Sequence, residues 1–422
     1  MTLNPQKDRQ KPLLFDHPSD LEPMLVLCTP ALEEKTVELI RSGATLSGQL
    51  HPLVRRTVAE RIRWMNGYYS NLIEEIRTKP IDIENAVYGA LNQELEPERK
   101  KSILLLRAHY EAEEAYYDAR PENIYSLKFA QTAHKKLFRY SLAQDQTVVP
   151  GQLRTHQVAV GRHLAPDHKS TGALMQRFEE VYTTATAQKN PIGAVLQTLA
   201  AHHRFLFIHP FSDGNGRVGR FILHAGLERT GLGGSGLWTI DRGLARHRQR
   251  YFEMLDRADS KRDSDFDGRG PRSQKALQEF CDTLLDIAID QVRFMSGLLE
   301  LPSLISRVNE YSLRKEGTKE LPTGTQRIVH AVLTGGQISR GEVASLIDKS
   351  ERTAQHVISR LLSVGMLQSP SPKGKLAFAI PIHAASSYFP ELYPAGSIPI
   401  REIPDRKHIQ KLWDRLRNVP EI

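Results

Sequence analysis

Only two cysteines, Cys28 and Cys281, occur in the 422 residues. Two thiols cannot staple a chain of this size, which excludes a disulfide scaffold and points to a reducing cytoplasm. Both are expected as small core residues. Long apolar runs are missing as well: no stretch approaches the ~20 residues a membrane span needs. The start, Met1-Thr2-Leu3-Asn4-Pro5-Gln6-Lys7-Asp8, lacks the apolar core of a secretory signal. No membrane partner is therefore expected. What remains is ordinary for a soluble globular chain, with 40% hydrophobic and 25% charged residues. The length suggests about two to three domains. The net charge of +8 is uneven: residues 301–422 carry 17 Lys and Arg against 11 Asp and Glu, the first 300 carry 40 against 38. Any nucleic-acid contact is to be sought in that basic C-terminal third.

The most informative stretch is His209-Pro210-Phe211-Ser212-Asp213-Gly214-Asn215-Gly216-Arg217-Val218-Gly219-Arg220. Before it, Val195, Leu199, His202 or His203 and Leu206 recur at helical spacing; after it, Phe221 to Arg229 resumes a helix that Gly231 and Gly233 stop. A helix, a tight glycine loop and a second helix make an anion nest, because glycines at φ > 0 turn successive N–H groups inward at a helix N-terminus. Arg217 and Arg220 share a face of that helix and suit phosphate oxygens. Asp213 offers a hard oxygen suited to Mg²⁺, and His209 a base with a pKa near working pH. These parts describe a nucleotide-phosphate site with a metal and a proton acceptor.

The stretch resembles the signature of the Fic family, His-x-Phe-x-Asp/Glu-Gly-Asn-Gly-Arg-x-x-Arg, with every specified position filled. At about 5% usage per residue type, eight such positions would match by chance on the order of 10⁻⁸ times in this chain. The resemblance implies a mainly α fold, the Fic helical fold with a β-hairpin flap. It also implies protein adenylyl transfer with ATP as substrate and Mg²⁺ as cofactor, onto a hydroxyl of a target protein or of the chain itself. His209 would take the proton and Asp213 hold the metal. Gly214, Asn215 and Gly216 would cradle the α- and β-phosphates, Arg217 the β-phosphate and Arg220 the γ-phosphate.

Upstream, Ala31 to Ile76 reads as helical, with Leu53, Val54, Val58, Ile62 and Trp64 as its apolar set. Ser70 and Glu74 lie i,i+4 on one face there. By itself that pair reads as a solvated patch. Beside a Fic signature it resembles the family's inhibitory helix, Ser/Thr-x-x-x-Glu-Gly/Asn, whose Glu pairs with the last Arg of the motif. The departure is Glu75 in place of Gly or Asn, which adds a side chain and a charge at a position expected to be close-packed. Helices are also expected at Pro80–Gln93, Pro97–Tyr117 and Ile124–Tyr140, with His134 as a structural residue. Val148-Val149-Pro150-Gly151 is a turn, and Val158 to Pro166 a short hairpin. The resemblance makes Val160, Gly161, Arg162 and His163 a flap that clamps the target by strand addition, with Arg154 in the matching text. Tyr251, in the post-motif helix, is a candidate nucleotide contact. Asp263, Asp265 and Asp267 alternate as in a calcium loop without its closing Glu, so no calcium site is expected. Gln274 to Leu298 reads as the long helix that ends this domain.

Ser312 to Thr325 reads as a polar linker. Helices follow at Gln326–Leu333, Arg340–Ile347 after Ser339, and Glu351–Leu362 after Ser350. Arg352, Thr353, Gln355 and His356 follow that last cap as on a recognition helix, and Lys373-Gly374-Lys375 reads as a wing. The segment resembles the winged helix-turn-helix of many bacterial Fic proteins, with Arg352, Gln355, Lys373 and Lys375 as DNA-binding candidates. Protein docking or dimer formation stays open for the same module. The domains expected are 1–120 with the inhibitory helix near 65–76, 121–310 catalytic, 320–385 winged helix and 386–422 tail, helical at Lys407–Arg417. The function expected is a self-inhibited, cytoplasmic adenylyltransferase. A nucleotide-sensing DNA-binding regulator, or a Fic enzyme that removes AMP or transfers another phosphate-linked group, are the alternatives, and a homodimer stays open.

Overall fold

A computed structural model describes residues 16–78, 82–83, 96–140, 148–187, 190–232 and 236–392. The first 15 residues of the N-terminal arm, nearly all of the helix expected at Pro80–Gln93, Gly233, and the tail beyond residue 392 with its Lys407–Arg417 helix lie outside them.

Proline-led starts and side-chain caps set most helices. Thr29 caps α1 (Pro30–Gly48), and His51 caps α2 (Pro52–Ile73). Pro97 opens α3 (Pro97–Ala119) and Ser126 caps α4 (Leu127–Leu137). A hairpin of β1 (Ala159–Val160) and β2 (His163–Leu164) precedes α5 (Thr171–Thr186). Then come α6 (Pro191–Ile208), α7 (Asn215–Arg229), α8 (Ile240–Arg246), α9 (Arg248–Ala258) and α10 (Gln274–Leu298). α6 is apolar on most of its circumference and nearly all of it is buried, which makes it the axis around which the others pack. α5 and α7 lie against it, and α1 lies along α10. α2 packs on α3 through a stacked Trp64–Tyr110 pair with centroids 4.0 Å apart.

The C-terminal unit contains α11 (Leu301–Gly317), α12 (Thr325–Gly335), β3 (Gln337–Ile338), α13 (Glu342–Ile347), α14 (Glu351–Ser363), β4 (Leu367–Gln368), β5 (Leu376–Phe378) and α15 (Ile382–Tyr388). β5 lies between β3 and β4, antiparallel to both. This unit rests on α2. Gln368 Nε2 donates to Thr57 Oγ1 (3.0 Å), and a Cβ on Gly336 would fall 2.2 Å from the His51 ring. Tyr69, near the end of α2, donates to the carbonyl of Leu392.

Three expectations are corrected. The linker placed at Ser312 is helix through Gly317, because Leu304, Val308 and Tyr311 bury one face and Ser312 donates back to Val308 O. The turn after it is held by Glu316, which accepts from the Gly324 and Gln326 amides. Cys28 is exposed, while Cys281 is buried in α10 as expected. Leu53, counted in the apolar set of α2, is 39% exposed at the helix start. Among the described residues no helix is long and apolar enough to cross a membrane.

Candidate active site

The cavity of about 630 Å³ at the α6–α7 junction is lined by Glu74, the hairpin residues Val160 to His163, His209, Asp213 to Gly216, Arg220, Tyr251 and Phe252. α6 ends at His209, a C-cap in the left-handed region (φ 51°, ψ 60°). That geometry turns the chain back on itself and aims the imidazole into the cavity. His209 Nδ1 lies 3.2 Å from Leu206 O, which requires a proton on Nδ1 and leaves the Nε2 lone pair free. Burial, then the neighbouring imidazole of His163, pushes its pKa down to about 4. At neutral pH His209 is thus an unprotonated base.

The loop after it is shaped by three residues. Gly214 has φ 79°, and a Cβ there would lie 2.2 Å from the Phe138 ring. The Asn215 side chain clamps Phe211, accepting from its N–H (2.9 Å) and donating to its carbonyl (2.7 Å). His134 donates from Nε2 to Asp213 O (3.1 Å), accepts from Gly151 N (2.8 Å), and stacks between Phe138 and Phe211. The Asn215 side chain is thus committed to the loop, which leaves its backbone N–H for the expected cradle. The structural role expected for His134 is sharpened: it holds the loop's metal-candidate residue in place.

α7 begins without a side-chain cap, so its first N–H groups and dipole face the cavity. Arg217 lies over the Phe138 ring at 4.1 Å and 3.6 Å from Asp213 Oδ2. Its buried Nε has no recorded partner among the described residues. Asp213 keeps 62% of its side chain exposed, with Oδ1 accepting from Gly214 N.

Arg220 is only 1% exposed. It donates to Ser70 Oγ (3.0 Å), Ser70 O (2.9 Å) and Glu74 Oε1 (2.7 Å). Glu74 Oε1 stands 2.1 Å from where a Cβ of Gly216 would be, so the carboxylate lies directly over the glycine of the nest. Burial would raise the Glu74 pKa, but Arg220, and then Arg217 and Arg248, hold it below the ordinary value. Glu75 overturns the expectation of a close-packed position. It adopts φ 62°, which explains why Gly or Asn suits this place, yet its side chain is 75% exposed and pairs with Arg248 at 3.0 Å.

The hairpin forms as expected, with Val160 52% exposed and Arg162 also open. His163 is an anchor: Nδ1 meets Asp259 Oδ2 (2.9 Å) and Nε2 meets Phe207 O (2.9 Å). Tyr251 is buried in the cavity wall, its hydroxyl 2.7 Å from His202 Nε2, while His202 Nδ1 donates to Gly219 O on α7. That chain from α9 through α6 to α7 carries no motif and was invisible in the sequence. Arg352, Gln355, Lys373 and Lys375 are exposed on the C-terminal unit and line no part of this cavity.

A helical scaffold that presents an uncapped helix N-terminus, two buried arginines and a neutral histidine defines an anion-handling, base-equipped site. Residues 124–227 match the model of the Fic/DOC family. Two relatives, both named protein adenylyltransferase Fic, are each 36% identical over 96 residues. The one from Drosophila mojavensis aligns over 23% of this chain and 19% of its own length. The one from Drosophila grimshawi aligns over 23% and 20%. The chain thus spans about a fifth of these relatives. Among solved structures, a Fic family protein from Desulfovibrio desulfuricans G20 superposes with a TM-score of 0.47 at 18% identity, covering 84% of this chain and 97% of that one. Fic-1 from C. elegans gives 0.46 at 16% identity, covering 64% and 74%. Residues 124–227 thus form a Fic-type domain, on the strength of the family match.

Proposed function

We propose that this protein is a self-inhibited protein adenylyltransferase, with residues 121–310 as the catalytic domain. Its main support is the Glu74 carboxylate seated over Gly216 and bonded to Arg220. A γ-phosphate needs that arginine and that space, so the resting carboxylate acts as its competitor. The relatives named protein adenylyltransferase Fic support ATP as the nucleotide.

In the reaction, a target hydroxyl donates its proton to His209 Nε2 as its oxygen bonds to the α-phosphorus. The bond from that phosphorus to the pyrophosphate oxygen breaks, leaving AMP on the target. The first N–H groups of α7, with Arg217 and Arg220, hold the charge of the leaving group, and such positioning supplies most of the catalysis. Asp213 is the carboxylate suited to Mg²⁺. It is exposed, and it would hold the ion together with substrate phosphates and water. When bound, magnesium would neutralise phosphate charge.

The experiment is incubation with α-labelled ATP and Mg²⁺. Label should rise sharply in Glu74→Gly over the parent. A Glu74→Gly protein no more active than the parent would remove self-inhibition from the reading.

A second activity is favoured by the exposed Arg352, Gln355, Lys373 and Lys375 on α14 and the β4–β5 turn. We read α12 to β5 as a winged helix that binds DNA. A mobility shift that weakens steeply with salt supports it; a salt-independent shift, or none, argues for protein docking.

A further inference from the structure

Arg154 is 3% exposed, and its guanidinium points into carbonyls. Nε donates to His209 O (2.8 Å), and Nη2 to Pro166 O (2.5 Å) and Ile208 O (3.5 Å). Nη1 donates to His156 O (3.2 Å), and the Arg154 amide donates to Pro210 O (3.0 Å). His156 and Pro166 are the two roots of the β1–β2 hairpin; Ile208, His209 and Pro210 are the end of α6 and the start of the loop. One buried residue therefore grips both roots of the hairpin and the backbone at Ile208 and His209 with its side chain, and Pro210 with its amide. The grip falls where it is needed: His209 is a non-glycine residue at φ 51°, a conformation that persists only when its surroundings enforce it.

We infer that Arg154 is a positioning residue that keys the flap to the base. A target strand paired along β1–β2 then arrives with its hydroxyl in register with His209 Nε2. Lysine would replace it only in part, because one ammonium nitrogen cannot span all the carbonyls that Nε, Nη1 and Nη2 reach from three positions. His163 adds a second tie, from β2 to Phe207 O and Asp259. It reaches only one strand and does not touch the backbone of His209. This inference rests on the adenylyltransferase reading for its kinetic test but not for its structural one.

In the Glu74→Gly background, with α-labelled ATP and Mg²⁺, Arg154→Gln should lower self-labelling at saturating ATP by about tenfold or more. The KM for ATP should stay within about twofold, because Arg154 touches neither α7 nor its N–H groups. Arg154→Lys should recover part of the rate. Parental turnover in Arg154→Gln, or a KM for ATP that rises in step with the fall in rate, overturns the proposal. Should Glu74→Gly itself label nothing, the adenylyltransferase reading fails on its own. The key is then judged by hydrogen exchange. Amides of residues 156–166 and 209–211 should exchange faster in Arg154→Gln than in the parent, with α1 and α10 unchanged. Equal exchange overturns it.

Discussion

At the scale of single residues, the site divides into a base that is ready and an arginine that is occupied. His209 needs no further activation, since its pKa already lies at about 4 and its Nδ1 proton is held by Leu206 O. Activity should therefore survive acidification well below the ordinary histidine value and fall only as pH drops through about 4, where the ring takes a proton. An acid limb near 6.5 in the rate profile of Glu74→Gly would contradict that. His209→Ala should abolish transfer while ATP affinity stays within about threefold, because the phosphate contacts belong to α7. Undiminished labelling by His209→Ala removes it as the base. Glu75 is the residue whose neighbourhood changes most between sequence and structure. Its side chain leaves toward Arg248, so Glu75→Gly should keep the parent's low self-labelling, within about twofold. Activation comparable to Glu74→Gly would mean that the Glu75–Arg248 pair itself holds the site shut.

At the scale of elements, the unit is the glycine loop with the end of α2 above it. They come from parts of the chain well over a hundred residues apart, and Gly216 is where they touch. Gly216→Ala gives a clean contrast with Glu74→Gly. The new methyl would push the Glu74 carboxylate off Arg220 yet stand in the phosphate's own place. It should therefore lose ATP binding and stay inactive although the inhibitory contact is broken. Measuring fluorescent-nucleotide affinity for both variants separates the two effects, and an active Gly216→Ala would show that the carboxylate and the phosphate occupy different places. The motif from His209 to Arg220, the Ser70–Glu74 spacing and the hairpin were legible because their residue types are tied to their positions. The contacts of His134, expected only as structural, of Arg154, expected only in the flap's matching text, and of Phe138 and His202 were not. Each acts by reaching a backbone carbonyl or a ring dozens of residues away, and a long-range bond to a carbonyl leaves no mark on the partner's identity. The continuation of α11 through Ser312 was missed for a related reason: a polar run reads as linker unless one knows which face is packed.

At the scale of the whole molecule, both halves hide neutral histidines. His134, His203, His209 and His383 are pushed down to about 4, and His202 to about 3, by burial first. His383 belongs to the C-terminal unit, where it accepts at Nδ1 from Tyr311 and donates at Nε2 to Val364 O. In the unfolded chain each ring would take a proton near 6.5. Between about 6.5 and 4 the unfolded state therefore binds more protons than the folded one, and stability rises with pH across that window. The contribution is complete above 6.5 and is lost as pH falls, at up to about 1.4 kcal/mol per group per pH unit. Carboxylates held low by their partners, Glu74 and Asp259, act in the same direction at still lower pH. Thermal melts from pH 7.5 to 4.5 should thus show a steep, continuous fall in Tm, beginning below about 6.5. His383→Gln in the C-terminal unit should make the fall shallower without touching the catalytic cavity. A Tm flat between pH 6.5 and 4.5 would mean that these rings charge at their ordinary value and that the buried neutral set does not exist in solution.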